Sequence, residues 1–198
     1  MARLIFIAIV CCVANTIALP YQQATTKNSY SFPFVSRAEW GANPASSTIN
    51  LARPVPLVVI HHTAIPGECR TRSACINSMR SMQVAHQSGN GWSDIGYNFA
   101  VGGDGAVYEG RGWTTVGAHA VSFNNRSIGI ALIGNFVTRI PPANQMQVLK
   151  RLIAEGVRLG HISPSYGLIG HRQVSATECP GTAFFNELRK WDRFQATL

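Results

Sequence analysis

Leu57-Val58-Val59-Ile60-His61-His62 is an apolar, mostly β-branched run that ends on two histidines. Preceded by Pro54 and Pro56, it predicts a short buried strand over 57–60. That strand delivers His61 and His62 at its C-terminal end. Neighbouring residues on a strand point to opposite faces, so simple geometry sends the two imidazoles to different places.

The rest of the chain alternates strand and helix signals outward from this run. Downstream, Ile76, Met79, Met82 and Val84-Ala85 fit a helix over 75–86, broken by Gly89-Asn90-Gly91. Residues 97–101 read as a strand, Gly102-Gly103-Asp104-Gly105 as a turn, and 106–109 as the returning arm of a hairpin. Residues 127–133 form another apolar strand, closed by Gly134-Asn135. Pro141-Pro142 precedes an amphipathic helix over 143–159, with Met146, Leu149, Ile153 and Val157 on one face and Gly160 as its stop. Leu168-Ile169 leads into Gly170-His171, and a last helix over 184–191 follows Pro180-Gly181. Upstream, Ser36-Arg37-Ala38-Glu39-Trp40 has the spacing of a capped helical turn. The pattern predicts an α/β fold: a single domain with a central mixed β-sheet flanked by helices.

The amino terminus reads as a leader. Arg3 is followed by an apolar run, Leu4 to Val13, too short to span a bilayer, and then by Thr16-Ile17-Ala18, which offers small residues at the positions a signal peptidase prefers. The expected organisation is a signal peptide over 1–18, a polar extension over 19–34 and the folded domain over 35–198. No later stretch is long and apolar enough to cross a membrane. The expected product is secreted, extracellular, without a membrane anchor and monomeric.

The leader carries Cys11 and Cys12, which leaves Cys69, Cys75 and Cys179. Cys69 and Cys75 lie six positions apart around a polar turn, so an oxidising compartment favours a disulfide between them. Cys179 is then the odd thiol, eight positions after His171. Two histidines and one thiolate from separate segments can hold Zn²⁺ and leave its fourth position open, as catalytic zinc sites do. A buried inert thiol and a cysteine nucleophile with His171 as base are the competing readings of Cys179.

The formal net charge of +8 falls to +7 once Arg3 leaves. The basic residues are scattered, with no Lys/Arg run and no zinc-finger pattern, which argues against nucleic acid as a partner. The charge expresses a preference for anionic surfaces such as glycans or bacterial envelopes.

Several short motifs stand in one order. They are Val59-Ile60-His61-His62-Thr63-Ala64, Asp94-Ile95-Gly96-Tyr97-Asn98-Phe99, Val107-Tyr108-Glu109-Gly110-Arg111-Gly112-Trp113, Ser127-Ile128-Gly129-Ile130-Ala131-Leu132-Ile133-Gly134-Asn135-Phe136 and Gly170-His171-Arg172. The chain resembles the peptidoglycan recognition proteins, a family similar to phage-type zinc amidases, from about residue 34 to the C-terminus. The resemblance implies a zinc-dependent N-acetylmuramoyl-L-alanine amidase that acts on bacterial peptidoglycan and muropeptides in innate immunity. It selects His61 from the histidine pair and completes the metal set with His171 and Cys179. It places Tyr97 and Thr177 in the catalytic centre, where a phenol could donate to a developing oxyanion. Thr177 could equally hold its own loop through a backbone hydrogen bond.

The same resemblance lines a substrate groove with Thr63, His86, His119 and Asn124. Gly91, Trp92 and Arg111 match the combination that favours meso-diaminopimelate over lysine in the stem peptide. The chemistry is direct at Arg111, because a guanidinium can bind the extra carboxylate bidentately. Asn125-Arg126-Ser127 is a glycosylation sequon that abuts the expected groove, so efficient occupancy is not expected. A recognition receptor with little or no turnover is the alternative function, and direct antibacterial action by a cationic protein is a third.

Overall fold

The computed structural model describes residues 30–197. The expected leader and residues 19–29 of the expected extension lie outside the described residues. Along the chain run β1 (Phe34–Val35), α1 (Arg37–Trp40), β2 (Val55–His62), α2 (Arg72–Val84), β3 (Phe99–Val101) and β4 (Val107–Glu109). There follow β5 (Ser127–Leu132), α3 (Ala143–Arg158), β6 (Ile162–Gly170) and α4 (Thr182–Leu188). Among the described residues the strands form one six-stranded sheet in the order β1-β4-β3-β5-β2-β6. Only β3 and β4 pair antiparallel; the other neighbours are parallel. The domain is therefore a mixed sheet between helices, as the sequence predicts.

The sheet's two faces follow from the period-2 alternation of its strands. Val58, Ile60, Ile128 and Ile130 pack with Leu149, Leu152 and Ile153 of α3 and Leu188 of α4 in the larger core. Ala100, Tyr108 and Ile133 face the other way, onto Met79 and Met82 of α2 and Trp40 of α1. Val59 shares that second face and packs on Ala120 and Ile169. His61, two residues on, points to the same side as Val59.

Sequence and structure differ at several element ends. The helix expected over 75–86 begins at Arg72, because the Thr71 hydroxyl caps it by accepting from Ala74 N, and it ends at Val84 in a π-helical turn, Ala85–Gly89. The strand expected from 97 starts at Phe99. Asn98 has its own partners: its Nδ2 donates to Gly112 and Thr115 carbonyls, and its Oδ1 accepts from Gly129 N. α3 buries Gln145, Val148, Leu149, Leu152 and Ile153, a face rotated slightly from the expected one, with Met146 and Val157 at its border. The last helix starts at Thr182, two positions before the expected start, and ends at Leu188. The turn at 36–40 carries the expected capping box between Ser36 and Glu39. Residues 30–34, read as part of a polar extension, pack already: Phe32 is core, and Tyr30 and Phe34 lie against it.

Candidate metal and active site

Parallel pairing brings the candidate ligands together. β2 lies beside β6, with Ile60 opposite Gly170, so His61 and His171 leave adjacent strands at the same end of the sheet. The loop after β6 then folds back and delivers Cys179. The metal-binding atoms of His61, His171 and Cys179 all lie within 4.8 Å of one another. The rings of His61 and His171 are 4.4 Å apart, and His61 Nδ1 is 3.6 Å from Cys179 Sγ.

The loop that carries Cys179 is braced on both sides. Thr177 Oγ1 accepts from Cys179 N at 3.2 Å, and Arg172 N donates to Cys179 O at 2.8 Å. The Arg172 guanidinium donates to Glu178 O and to Thr182 Oγ1. The sulfur itself receives the backbone N–H of His62 at 3.3 Å. His62 points away from His61, as strand geometry requires, and its Nδ1 accepts from Phe136 N. Its nearness to the site is through its backbone.

Burial dominates the electrostatics here. Cys179 is 9% exposed, and burial pushes its thiol up to about 12. Burial, with the neighbouring His119, His171 and His62 as lesser causes, holds His61 well below the ordinary imidazole range. Burial also lowers His171. These are neutral donors in a site that disfavours both a bare thiolate and a bare imidazolium. A divalent cation reverses that balance, because its own charge becomes the largest in the site. Two imidazoles and a thiol are a donor set for zinc, with one position left for a non-protein ligand. The residues present fit the ion.

Tyr97 reaches the same place. Its ring centroid is 5.3 Å from that of His61, and burial raises its phenol above the usual tyrosine value, with Cys179 adding to the shift. The phenol stays protonated across the physiological range, so it can act as a donor. Thr177 is exposed, and its oxygen serves the Cys179 backbone.

The remaining expected residues divide between the cleft and its supports. A cleft of about 350 Å³ beside the metal-ligand set is lined by Trp92, His119, Val121, Asn124, His171 and Ser175. Asn124 Oδ1 accepts from His119 N and Ala120 N, both at 2.8 Å. His119 is buried, with Nδ1 3.1 Å from His61 Nε2. His86 Nδ1 accepts from Gly96 N, and its ring packs 4.8 Å from Trp92 and 5.7 Å from Tyr97. Gly91, at φ 69°, turns the chain into the half-exposed Trp92. Thr63 is committed internally: its hydroxyl donates to Pro66 O at 2.7 Å and accepts from Gly134 N at 2.9 Å.

Arg111 is held by backbone carbonyls. Nε donates to Ile95 O at 2.7 Å, Nη1 to Val116 O at 2.9 Å and Nη2 to Asp94 O at 3.3 Å. It lines a pocket of about 330 Å³ together with Arg37, Asn43, Asp94 and Thr115. A guanidinium carries five N–H groups, so two remain for a ligand.

Cys69 and Cys75 form the expected disulfide, and Cys179 is a free cysteine. No helix among the described residues is long and apolar enough to cross a membrane. Sequence reasoning missed Arg172 and the His62 backbone as supports of Cys179. The only available signal for Arg172 was its place directly after His171.

Residues 51–182 match the family described as N-acetylmuramoyl-L-alanine amidase. The chain is 48% identical to peptidoglycan-recognition protein LB of Drosophila melanogaster over 160 residues, which is 81% of this chain and 69% of that protein. The structure of wild-type Drosophila LB matches with a TM-score of 0.81, covering 82% of this chain and 95% of that one. Peptidoglycan recognition protein-LE, solved in complex with tracheal cytotoxin, a monomeric diaminopimelic acid-type peptidoglycan, matches at 42% identity with a TM-score of 0.80, over 82% of this chain and 95% of its own. The human N-acetylmuramoyl-L-alanine amidase is 43% identical over 165 residues, covering 82% of this chain and 29% of the human protein. By the match over residues 51–182 and by these relatives, the chain belongs to the peptidoglycan-recognition protein family, built on the N-acetylmuramoyl-L-alanine amidase domain.

Proposed function

We propose that the protein is a secreted zinc-dependent N-acetylmuramoyl-L-alanine amidase that hydrolyses the amide between the muramoyl lactyl group and L-alanine of peptidoglycan. The observation that carries this reading is the convergence of His61, His171 and Cys179 within 4.8 Å, on separate segments, at the edge of a cleft. A family member that only bound its ligand would have no need of a complete donor set.

His61, His171 and Cys179 would hold the metal. Zinc in such a site supplies Lewis acidity, which acidifies a water and polarises an acyl oxygen. The protein's own groups do the rest. The Tyr97 phenol, kept protonated by burial, donates to the acyl oxygen as negative charge develops there. Thr177 ties down the Cys179 backbone, and the His62 N–H steadies its sulfur. Trp92, His86, His119 and Asn124 flank the stem peptide, and Thr63 shapes the loop at the end of β2. Arg111, in the neighbouring pocket with Arg37 and Asp94, favours a diaminopimelate stem, and Gly91 and Trp92 complete the expected combination from the cleft side. Its two uncommitted N–H groups match the extra carboxylate.

The remaining parts of the reading concern context. Residues 1–18 act as a signal peptide, 35–198 as the recognition and amidase domain, and the mature protein works as an extracellular monomer in immunity. Incubating the purified mature protein with defined muropeptides, with and without a chelator, and weighing the products by mass spectrometry tests the activity. Release of intact stem peptide that stops with chelator and returns with zinc is the expected result. Full release in the presence of chelator, or binding with no release under zinc, would overturn it.

A further inference from the structure

We propose that His119 is a positioning residue that fixes the tautomer of His61, so that His61 presents a bare Nδ1 to the metal. The inference rests on the reading of His61, His171 and Cys179 as a zinc site. It gives His119 a role separate from lining the cleft.

The two ring nitrogens of His61 have distinct neighbours. Nδ1 faces Cys179 Sγ, and Nε2 faces His119 Nδ1 at 3.1 Å. The nitrogen that joins Cys179 at a shared ion is therefore Nδ1. A neutral imidazole has one proton. With Nδ1 giving its lone pair to a metal, that proton sits on Nε2 and has to be donated. His61 is 1% exposed, and the acceptor that the fold places within reach of Nε2 is His119 Nδ1. His119 must then carry its own proton on Nε2. That nitrogen is buried without a hydrogen-bond partner among the described residues. An unpaired buried polar group is a cost that packing alone would avoid, since an apolar side chain would fill the space without it.

The surroundings hold the ring in this one pose. The His119 ring stands edge-on to that of His61, at 81° and 5.0 Å between centroids. A Cβ on Gly129 or on Gly117 would overlap the His119 ring, so both glycines are space made for it. Gly129 lies within β5, where a glycine otherwise weakens a strand. Asn124 Oδ1 clamps the ring's own backbone N–H and the next one. The acceptor is thus held by the two glycines that make room for its ring and by the Asn124 clamp on its backbone. Partners of this kind, which orient a metal-ligating histidine through its second nitrogen, change metal affinity by about 10- to 100-fold when removed.

Two nearly isosteric substitutions separate this role from packing. His119→Asn keeps an acceptor at the position of Nδ1; His119→Leu puts a methyl group there. Both lose the far side of the ring equally. Zinc affinity would be measured for wild type and both variants by competition with a chromophoric chelator, alongside ¹⁵N NMR of the zinc-loaded wild type. The expected results are about 10- to 100-fold weaker zinc binding for the leucine variant, affinity near wild type for the asparagine variant, and a protonated Nε2 on His61. Equal zinc affinity in wild type and the leucine variant would overturn the proposal. So would equal losses in both variants, which would mean packing, or a proton on His61 Nδ1 in the loaded protein. Wild type that takes up no zinc at all would instead overturn the metal reading itself.

Discussion

Replacing Arg111 should erase the protein's preference between the two kinds of stem peptide. Its guanidinium is fixed by the carbonyls of Ile95, Val116 and Asp94, with two N–H groups left over. A diaminopimelate stem offers one more carboxylate than a lysine stem. A hydrogen bond to a charged group contributes about 1.5–3 kcal/mol. At about 1.4 kcal/mol per factor of ten, wild type should prefer the diaminopimelate stem by about tenfold to a hundredfold. Arg111→Ala removes that partner, but it also strips donors from three carbonyls, at a cost of about 1 kcal/mol or more each if they stay dry. Part of any lost activity is then lost folding. The ratio of the two substrates is immune to this, because both compete for the same folded protein. The assay is therefore cleavage of an equimolar mixture of matched tripeptide muropeptides, read by mass. The variant should bring the ratio close to one by slowing the diaminopimelate substrate. Arg111→Lys should recover only part of it, since an ammonium lacks the planar fork. A wild type that cuts both stems alike, or a variant that keeps the wild-type ratio, would refute the reasoning.

Other outcomes follow from the same geometry. Tyr97→Phe should retain zinc and muropeptide affinity and lose much of the turnover, because it removes only a donor to developing charge; unchanged turnover takes Tyr97 out of the mechanism. Cys179→Ser should lose stoichiometric zinc, since the thiolate is the softest ligand of the set; a variant with full zinc content on metal analysis contradicts the assignment. The metal-free protein should weaken in acid. Burial holds His62 near 4 and His119 near 3, against about 6.5 for an unfolded imidazole. The unfolded chain therefore binds protons that the folded one refuses. Stability is full above about pH 6.5 and falls as pH drops toward 4. Urea midpoints at pH 7.5 and pH 5 check this, and equal midpoints would count against it.

The fold was legible where the pattern was long or the chemistry singular. The run into His61-His62, the 127–133 strand and the helix after Pro141-Pro142 all announce themselves by periodicity or by an uninterrupted apolar stretch. β6 did not, because Ser163, Pro164 and Ser165 lie on it and only Leu168-Ile169 reads as a buried strand. The start of β3 lies after Asn98, whose side chain joins its backbone in bonding Gly129 and also reaches Gly112 and Thr115, contacts that no propensity reveals. The disulfide followed from counting cysteines and was found. At the site, residue types and motif order were enough to name the donors, but not to place their supports. The commitment of Arg111 to three carbonyls, of Thr63 to Pro66 and Gly134, and of His119 to His61 depends on contacts between segments far apart in sequence.

The most direct test is to identify the atoms around zinc in the loaded wild-type protein by X-ray absorption at the zinc edge. The expected shell has one sulfur at about 2.3 Å and two imidazole nitrogens at about 2.0–2.1 Å, with a light atom completing it. A shell without sulfur, or one with no imidazole, would contradict the assignment of His61, His171 and Cys179.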